Sequence, residues 1–200
     1  MTIGSLSSVW LGWTAIATGS AGLLALLFII LFFTIGQPFG TLNDIFIGIT
    51  ALLSGILAWM LYAQHHAQSP RYSLIALVLA LAGAVVVAIG STLVVSGKTG
   101  WYLAGLYTGF GNAFIGLWLL GLNLSAQQTH PWPQNLITFG VVVGAVMTLG
   151  LLTLPGLLKG IDTWGAAPWY VNYIGQVGGL GWLALYPIWC VLLGRAILAS

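Results

Sequence analysis

Apolar residues fall into six long blocks separated by short polar breaks, at roughly residues 9–35, 42–64, 72–96, 101–125, 134–158 and 169–198. A helix needs about 20 apolar residues, each rising 1.5 Å, to cross about 30 Å of hydrocarbon. Every block meets that length. A membrane barrel would instead alternate apolar and polar positions over segments of about ten residues. Residues 23–33 are apolar throughout, so helices, which satisfy their own backbone hydrogen bonds in lipid, are the structures this pattern selects. The expected fold is all-α: a polytopic membrane protein, a bundle of six transmembrane helices with short loops, forming one domain over residues 1–200. The longest connections, near 64–70, 126–133 and 159–168, leave no room for an extramembrane active site. The first block has no basic region before it and is too long for a signal peptide, so it reads as a retained helix.

Composition turns this pattern into a statement about solvent. Of 200 residues, 60% are hydrophobic and only 3% charged, where a soluble domain carries about 25% charged residues. Lipid is therefore the principal partner. The charged side chains are Asp44, Arg71, Lys98, Lys159, Asp162 and Arg195, each at or near a break or close to the C-terminus. A net charge of +2 spread this thinly argues against nucleic-acid binding, which needs a clustered basic face. Cys190 is the single cysteine, so no intrachain disulfide can form. Calling the N-terminal face side A, that side holds Arg71, Arg195, the terminal amine and three histidines; side B holds Lys98 and Lys159. The basic residues thus tip slightly towards a cytoplasmic side A, with both termini inside.

Small and aromatic residues add detail. Trp10, Trp13, Trp101, Tyr102, Trp132, Trp164, Trp169 and Tyr170 cluster near block ends, where amphipathic rings prefer the headgroup region. In lipid, close helix contact requires small side chains. They recur at spacing four as Ala76, Ala80, Ala84 and Ala88; as Gly105, Gly109 and Ala113; as Gly140 and Gly144; and as Gly175 and Gly179. A weaker set runs through Ala15, Thr18, Gly19 and Gly22. These stripes predict a tight bundle, or a bundle with one stripe left for a protein partner. A faint echo links Asp44-Ile-Phe-Ile-Gly48, Asn112-Ala-Phe-Ile-Gly116 and Asn172-Tyr-Ile-Gly175. Three repeated hairpins would produce it, but so would chance among abundant Ile, Phe and Gly.

Few residues can carry chemistry. Thr41-x-x-Asp44 fits a capping box before an apolar run, and Asp44 would meet the positive end of the helix dipole. The cap is the plainer reading of this acid; the sharper one is a functional carboxylate facing a cavity. Asn112 should lie near mid-membrane, with Asn123 three turns on along the same face. Asn172 and Gln176, at i and i+4, also share a face. Bonding between helices accounts for these amides. The alternative is a polar pocket opening to side B, built from Asp44, Tyr107, Asn112, Asn172 and Gln176. His65, His66 and His130 lie in side-A loops without a carboxylate, a poor metal set. Pro155 and Pro187 should kink the fifth and sixth helices.

Catalytic templates are missing. Helix four reads Gly109-Phe110-Gly111-Asn112, with no serine nucleophile. Histidine boxes, paired cysteines, His-Glu-x-x-His and Asn-Pro-Ala are also absent. The sequence leaves any cofactor unknown. The sequence favours a non-catalytic accessory or assembly component of the membrane. A small permease or binder for a hydrophobic or amphipathic molecule, built around Asp44, Asn112 and Gln176, is the alternative. The two separate on one geometric question: whether those residues meet across a cavity.

Overall fold

The computed structural model describes the backbone of residues 3–65 and 70–199 and the side chains of residues 8–63 and 73–199. Among the described residues there are six helices long and apolar enough to cross a membrane, and no strand. We number them by span: α1 (Ile3–Ile35), α2 (Phe39–His65), α3 (Pro70–Val95), α4 (Trp101–Thr129), α5 (Gln134–Leu158) and α6 (Trp169–Leu198).

Two boundaries differ from the apolar pattern for identifiable reasons. Helix α2 starts at Phe39 rather than at residue 42. The Gln37 side chain caps it: its Oε1 accepts from the Thr41 backbone N–H at 3.4 Å and from the Thr41 hydroxyl at 3.3 Å. Thr41 is thus already helical, and the expected Thr41–Asp44 capping box does not form. Helix α4 continues to Thr129 because Ala126-Gln127-Gln128 keeps it going past the apolar block. It ends where His130 turns left-handed (φ 49°) and donates its N–H to the Ala126 carbonyl; Pro131 then blocks any continuation.

The helices form a closed ring. Each packs on its neighbours in sequence, and α6 returns to pack along α1. Glycines set how closely they approach. A Cβ on Gly111 of α4 would lie 2.7 Å from the Gly83 carbonyl oxygen of α3, and one on Gly144 of α5 would lie 2.8 Å from that of Gly116 in α4. Gly178 of α6 meets Gly150 of α5, and Gly194 of α6 meets Gly12 of α1, each with a Cβ position 2.5 Å from partner backbone. In every pair the residue numbers run in opposite senses, so successive helices are antiparallel. Most of the predicted small-residue stripes are therefore occupied by the chain's own helices.

An aromatic column fills the centre. Trp182, Tyr186 and Trp189 of α6 are buried and stacked, with centroids 5.2 and 6.3 Å apart and planes within 10° and 15°. The Tyr186 hydroxyl donates to Ser54 Oγ of α2 at 2.9 Å, and Ser54 donates to the Thr50 carbonyl at 2.7 Å. Apolar side chains such as Leu27, Phe33, Ile75, Val78 and Val85 point outward, as lipid-facing positions must. Of the aromatics predicted at the interface, Trp10, Trp13, Trp101, Trp164 and Trp169 are exposed, whereas Tyr102 and Trp132 turn inward.

Both prolines alter their helices over the residues just before them. Helix α5 tightens to a 3-10 turn at Leu149–Thr153 ahead of Pro155, and α6 widens to a π turn at Gly181–Leu185 ahead of Pro187. Proline has no N–H to give the carbonyl four residues back, so the local bonding changes there. Beyond these turns each helix resumes.

Candidate functional site

The two carboxylates of the chain have unlike surroundings. Asp162, in the α5–α6 connection, accepts from the Gly100 N–H at 2.6 Å and the Leu103 N–H at 2.9 Å. It caps α4 from a distance, satisfying two of the donors that a helix start leaves open. A Cβ on Gly100 would lie 2.6 Å from the carboxylate oxygens, so a larger residue there would push the Asp162 side chain aside. Asp44 has no such role. One turn inside α2 and only 9% exposed, it makes no hydrogen bond or ion pair among the described residues.

Asp44 faces a cavity of about 100 Å³ at the ring centre, in the side-B half. Asn112 and Gln176 line the same cavity, with Ser91, Thr108, Thr153 and Trp182. Asn112 is the deep end: it lies about 16 Å along α4 from Trp101 at 1.5 Å per residue. It is fully buried, and neither its Nδ2 nor its Oδ1 has a hydrogen-bond partner. The buried Ser91 hydroxyl is also unpartnered. Thr153 is already engaged, bonding the Gly150 carbonyl at 2.7 Å and the Leu106 carbonyl at 3.2 Å. Gln176 stands exposed at the rim.

Glycines make the room. Gly105 and Gly179 belong to the predicted packing stripes, yet both line this cavity. A Cβ on Gly105 would meet nothing within 4 Å, and one on Gly179 only the Gln176 side chain at 3.8 Å. Absent side chains here leave space instead of close helix contact. Trp182 lines the cavity where it meets the aromatic column.

Two of the anticipated pocket residues lie elsewhere. Tyr107 packs against Gly90 of α3, whose Cβ would sit 2.6 Å from that of Tyr107. Asn172 accepts from the Tyr102 hydroxyl and donates to the Trp164 carbonyl at 3.0 Å and the Ala167 carbonyl at 3.4 Å, tying the α5–α6 connection to α4. Asn123 donates to the Leu119 carbonyl at 2.9 Å and lies against Gly140. Of the echoed segments, two thus bring a polar residue to the cavity and the third does not. Ser91, Thr108 and Trp182 escaped the sequence reading. Spacing could have found one: Trp182, Tyr186 and Trp189 follow i, i+4, i+7 on one face.

A second hollow of about 300 Å³ lies between α2, α3 and α4 at the side-A end, lined by Leu61, Ile75, Leu79, Leu117 and Trp118 among others. Among the described residues, no carboxylate, amide or basic group lines it. His66 lies outside the described residues, as does the His65 side chain. No group of three or more His, Cys, Asp or Glu residues that could hold a metal occurs among the described residues.

No protein-family model matches the chain, and no curated protein or solved structure matches it.

Proposed function

We propose that this protein is a membrane-embedded binding protein, acting as a small permease, for a small amphipathic molecule that enters the ring from side B. One observation carries the reading: Asn112 is fully buried in a cavity with both ends of its amide unpartnered. Leaving a buried polar group without partners costs about 1–3 kcal/mol. Leucine would fill the position at lower cost if packing were the only demand. A ligand with a polar end supplies at least one of the missing bonds, and the apolar wall of Ile29, Ile47, Val94 and Leu183 accommodates the rest of it. The accessory or assembly role rested on small-residue stripes, and these are largely taken up within the chain. With both termini cytoplasmic, as the basic residues favour, the cavity opens to the outer face of the membrane.

The test uses Gly105→Leu, which places a side chain in open space. Purified protein in lipid nanodiscs is titrated with tritiated n-butanol, butyramide, butyrate and n-butylammonium. At least one probe should bind wild type saturably and bind the variant at least tenfold more weakly, with the melting temperature not lowered. Absence of saturable binding to wild type, or binding indifferent to Gly105→Leu, sinks the proposal. Uptake of the bound probe into proteoliposomes then separates a permease from a binder.

A further inference from the structure

The lining of the cavity also bears on the charge of its ligand, an argument that rests on the cavity being a binding site. Asp44 is a carboxylate nine-tenths buried with no counter-ion among the described residues. Among the described residues, no Lys, Arg or His lines the cavity. Lys98 and Lys159 are exposed in side-B loops, and Arg195 sits in the last turn of α6, at the opposite end. Asp162 is committed to capping α4. An unpaired acid at membrane depth is expensive and is characteristically matched by a partner or a ligand. The lining supplies no such partner.

The neighbouring groups narrow the class. Beside the Asp44 carboxylate, Asn112 Oδ1 and Ser91 Oγ are buried, unpartnered acceptors on residues that line the same cavity. A primary ammonium carries three donors and no acceptor, so it can serve three such oxygens at once. An anion would meet repulsion from Asp44, and a neutral molecule would leave the carboxylate uncompensated. A bare metal ion fits less well. Hard divalent cations take six or more oxygen ligands, whereas this lining is dominated by aliphatic, aromatic and glycine residues. Trp182 adds an indole beside the site, held in place by its stack on Tyr186 and by the Tyr186–Ser54 hydrogen bond. Indole faces attract organic cations. We infer that the ligand is a small organic ammonium cation, its nitrogen paired with Asp44 and bonded by Asn112 and Ser91, its hydrocarbon part against Trp182 and the glycine wall.

The experiment compares n-butylammonium with butyramide on wild-type protein in nanodiscs, and on Asp44→Asn. The ammonium should bind wild type at least tenfold more tightly than the amide, and Asp44→Asn should abolish that preference. Equal affinity of the two probes for wild type overturns the ammonium assignment while leaving the binding cavity standing. Displacement of n-butylammonium by equimolar sodium or potassium also overturns it, in favour of an inorganic cation. Failure of every probe to bind means a merely solvated cavity, and then both readings fall. If Asp44→Asn does not fold, the wild-type comparison still decides.

Discussion

Gly111 and Gly105 lie six residues apart on α4, and adding one methyl group to each should have different consequences. Alanine at either position brings the same gain in helix propensity, about 1 kcal/mol in soluble hosts. That contribution cancels when the two variants are compared. At Gly111 the new Cβ would lie 2.7 Å from the Gly83 oxygen, 2.7 Å from Val87 Cγ2 and 2.9 Å from the Val87 nitrogen of α3. Comfortable carbon contacts begin at about 3.5 Å, so the helices must part by roughly 0.8 Å. Most of the obstruction is backbone, which cannot rotate aside as a side chain can. Overpacking of this kind costs about 1–3 kcal/mol. At Gly105 nothing lies within 4 Å, so no such cost arises. Gly111→Ala should therefore be less stable than Gly105→Ala by about 1–3 kcal/mol. Unfolding in mixed micelles with increasing dodecyl sulfate, followed by tryptophan fluorescence, measures the difference. If Gly111→Ala proves as stable as Gly105→Ala, glycine contact does not set the α3–α4 distance, and the space assigned beside Gly105 is not there.

Three further substitutions test other parts of the structure. Asn112→Leu should raise stability by about 1 kcal/mol or more, since it removes an unsatisfied buried amide of similar volume; a clear loss of stability in the same unfolding assay would mean that the amide holds helices together. Asp162→Ala should cost about 0.5–2 kcal/mol by uncapping α4, with faster hydrogen exchange confined to the amides of Gly100 and Leu103; unchanged exchange there would refute the cap. Tyr186→Phe removes the hydroxyl but leaves Ser54 bonded to the Thr50 carbonyl. It should cost about 0.5–1.5 kcal/mol, and a larger drop would show that the hydroxyl carries more of the core than one bond to Ser54.

The spans were legible because lipid tolerates little else: blocks of apolar sequence long enough to cross it give their own boundaries. The ends went astray where side chains, rather than hydropathy, decide. Gln37 caps α2 so that it starts at Phe39, directly after Pro38, and polar helix formers carry α4 past its apolar block. Asp44 shows the limit at the site. Its local motif is that of a cap, and local sequence cannot say that Gln37 has already taken that task. Nor can it say that Asp162 caps α4 across 59 and 62 residues of chain. Asn112 and Gln176 were identifiable as polar residues deep in apolar blocks. Tyr107 and Asn172 are polar as well, but Tyr107 is turned towards Gly90 of α3, and Asn172, one turn before Gln176, is held by Tyr102 and the α5–α6 connection. The glycine stripes were read as contacts throughout, but glycine serves a close neighbour and an empty space equally well. Spacing does not distinguish them.

Closure of the ring by α6 on α1 has a consequence for biogenesis. Helices enter the membrane in order, so α2 to α5 can each pair with the helix just before it as synthesis proceeds. The second face of α1 cannot. Gly12, Gly19 and Gly22 find Gly194, Val191 and Pro187 only after the last span has been inserted. Until then that face is covered by lipid, whose tails must be displaced when α6 docks. Trp182, Gly179 and Gln176 arrive on the same helix. A nascent chain of five spans therefore has the acid and the deep amide but not the α6 wall of the cavity, and on the proposed reading binding competence would appear in a single late step of assembly.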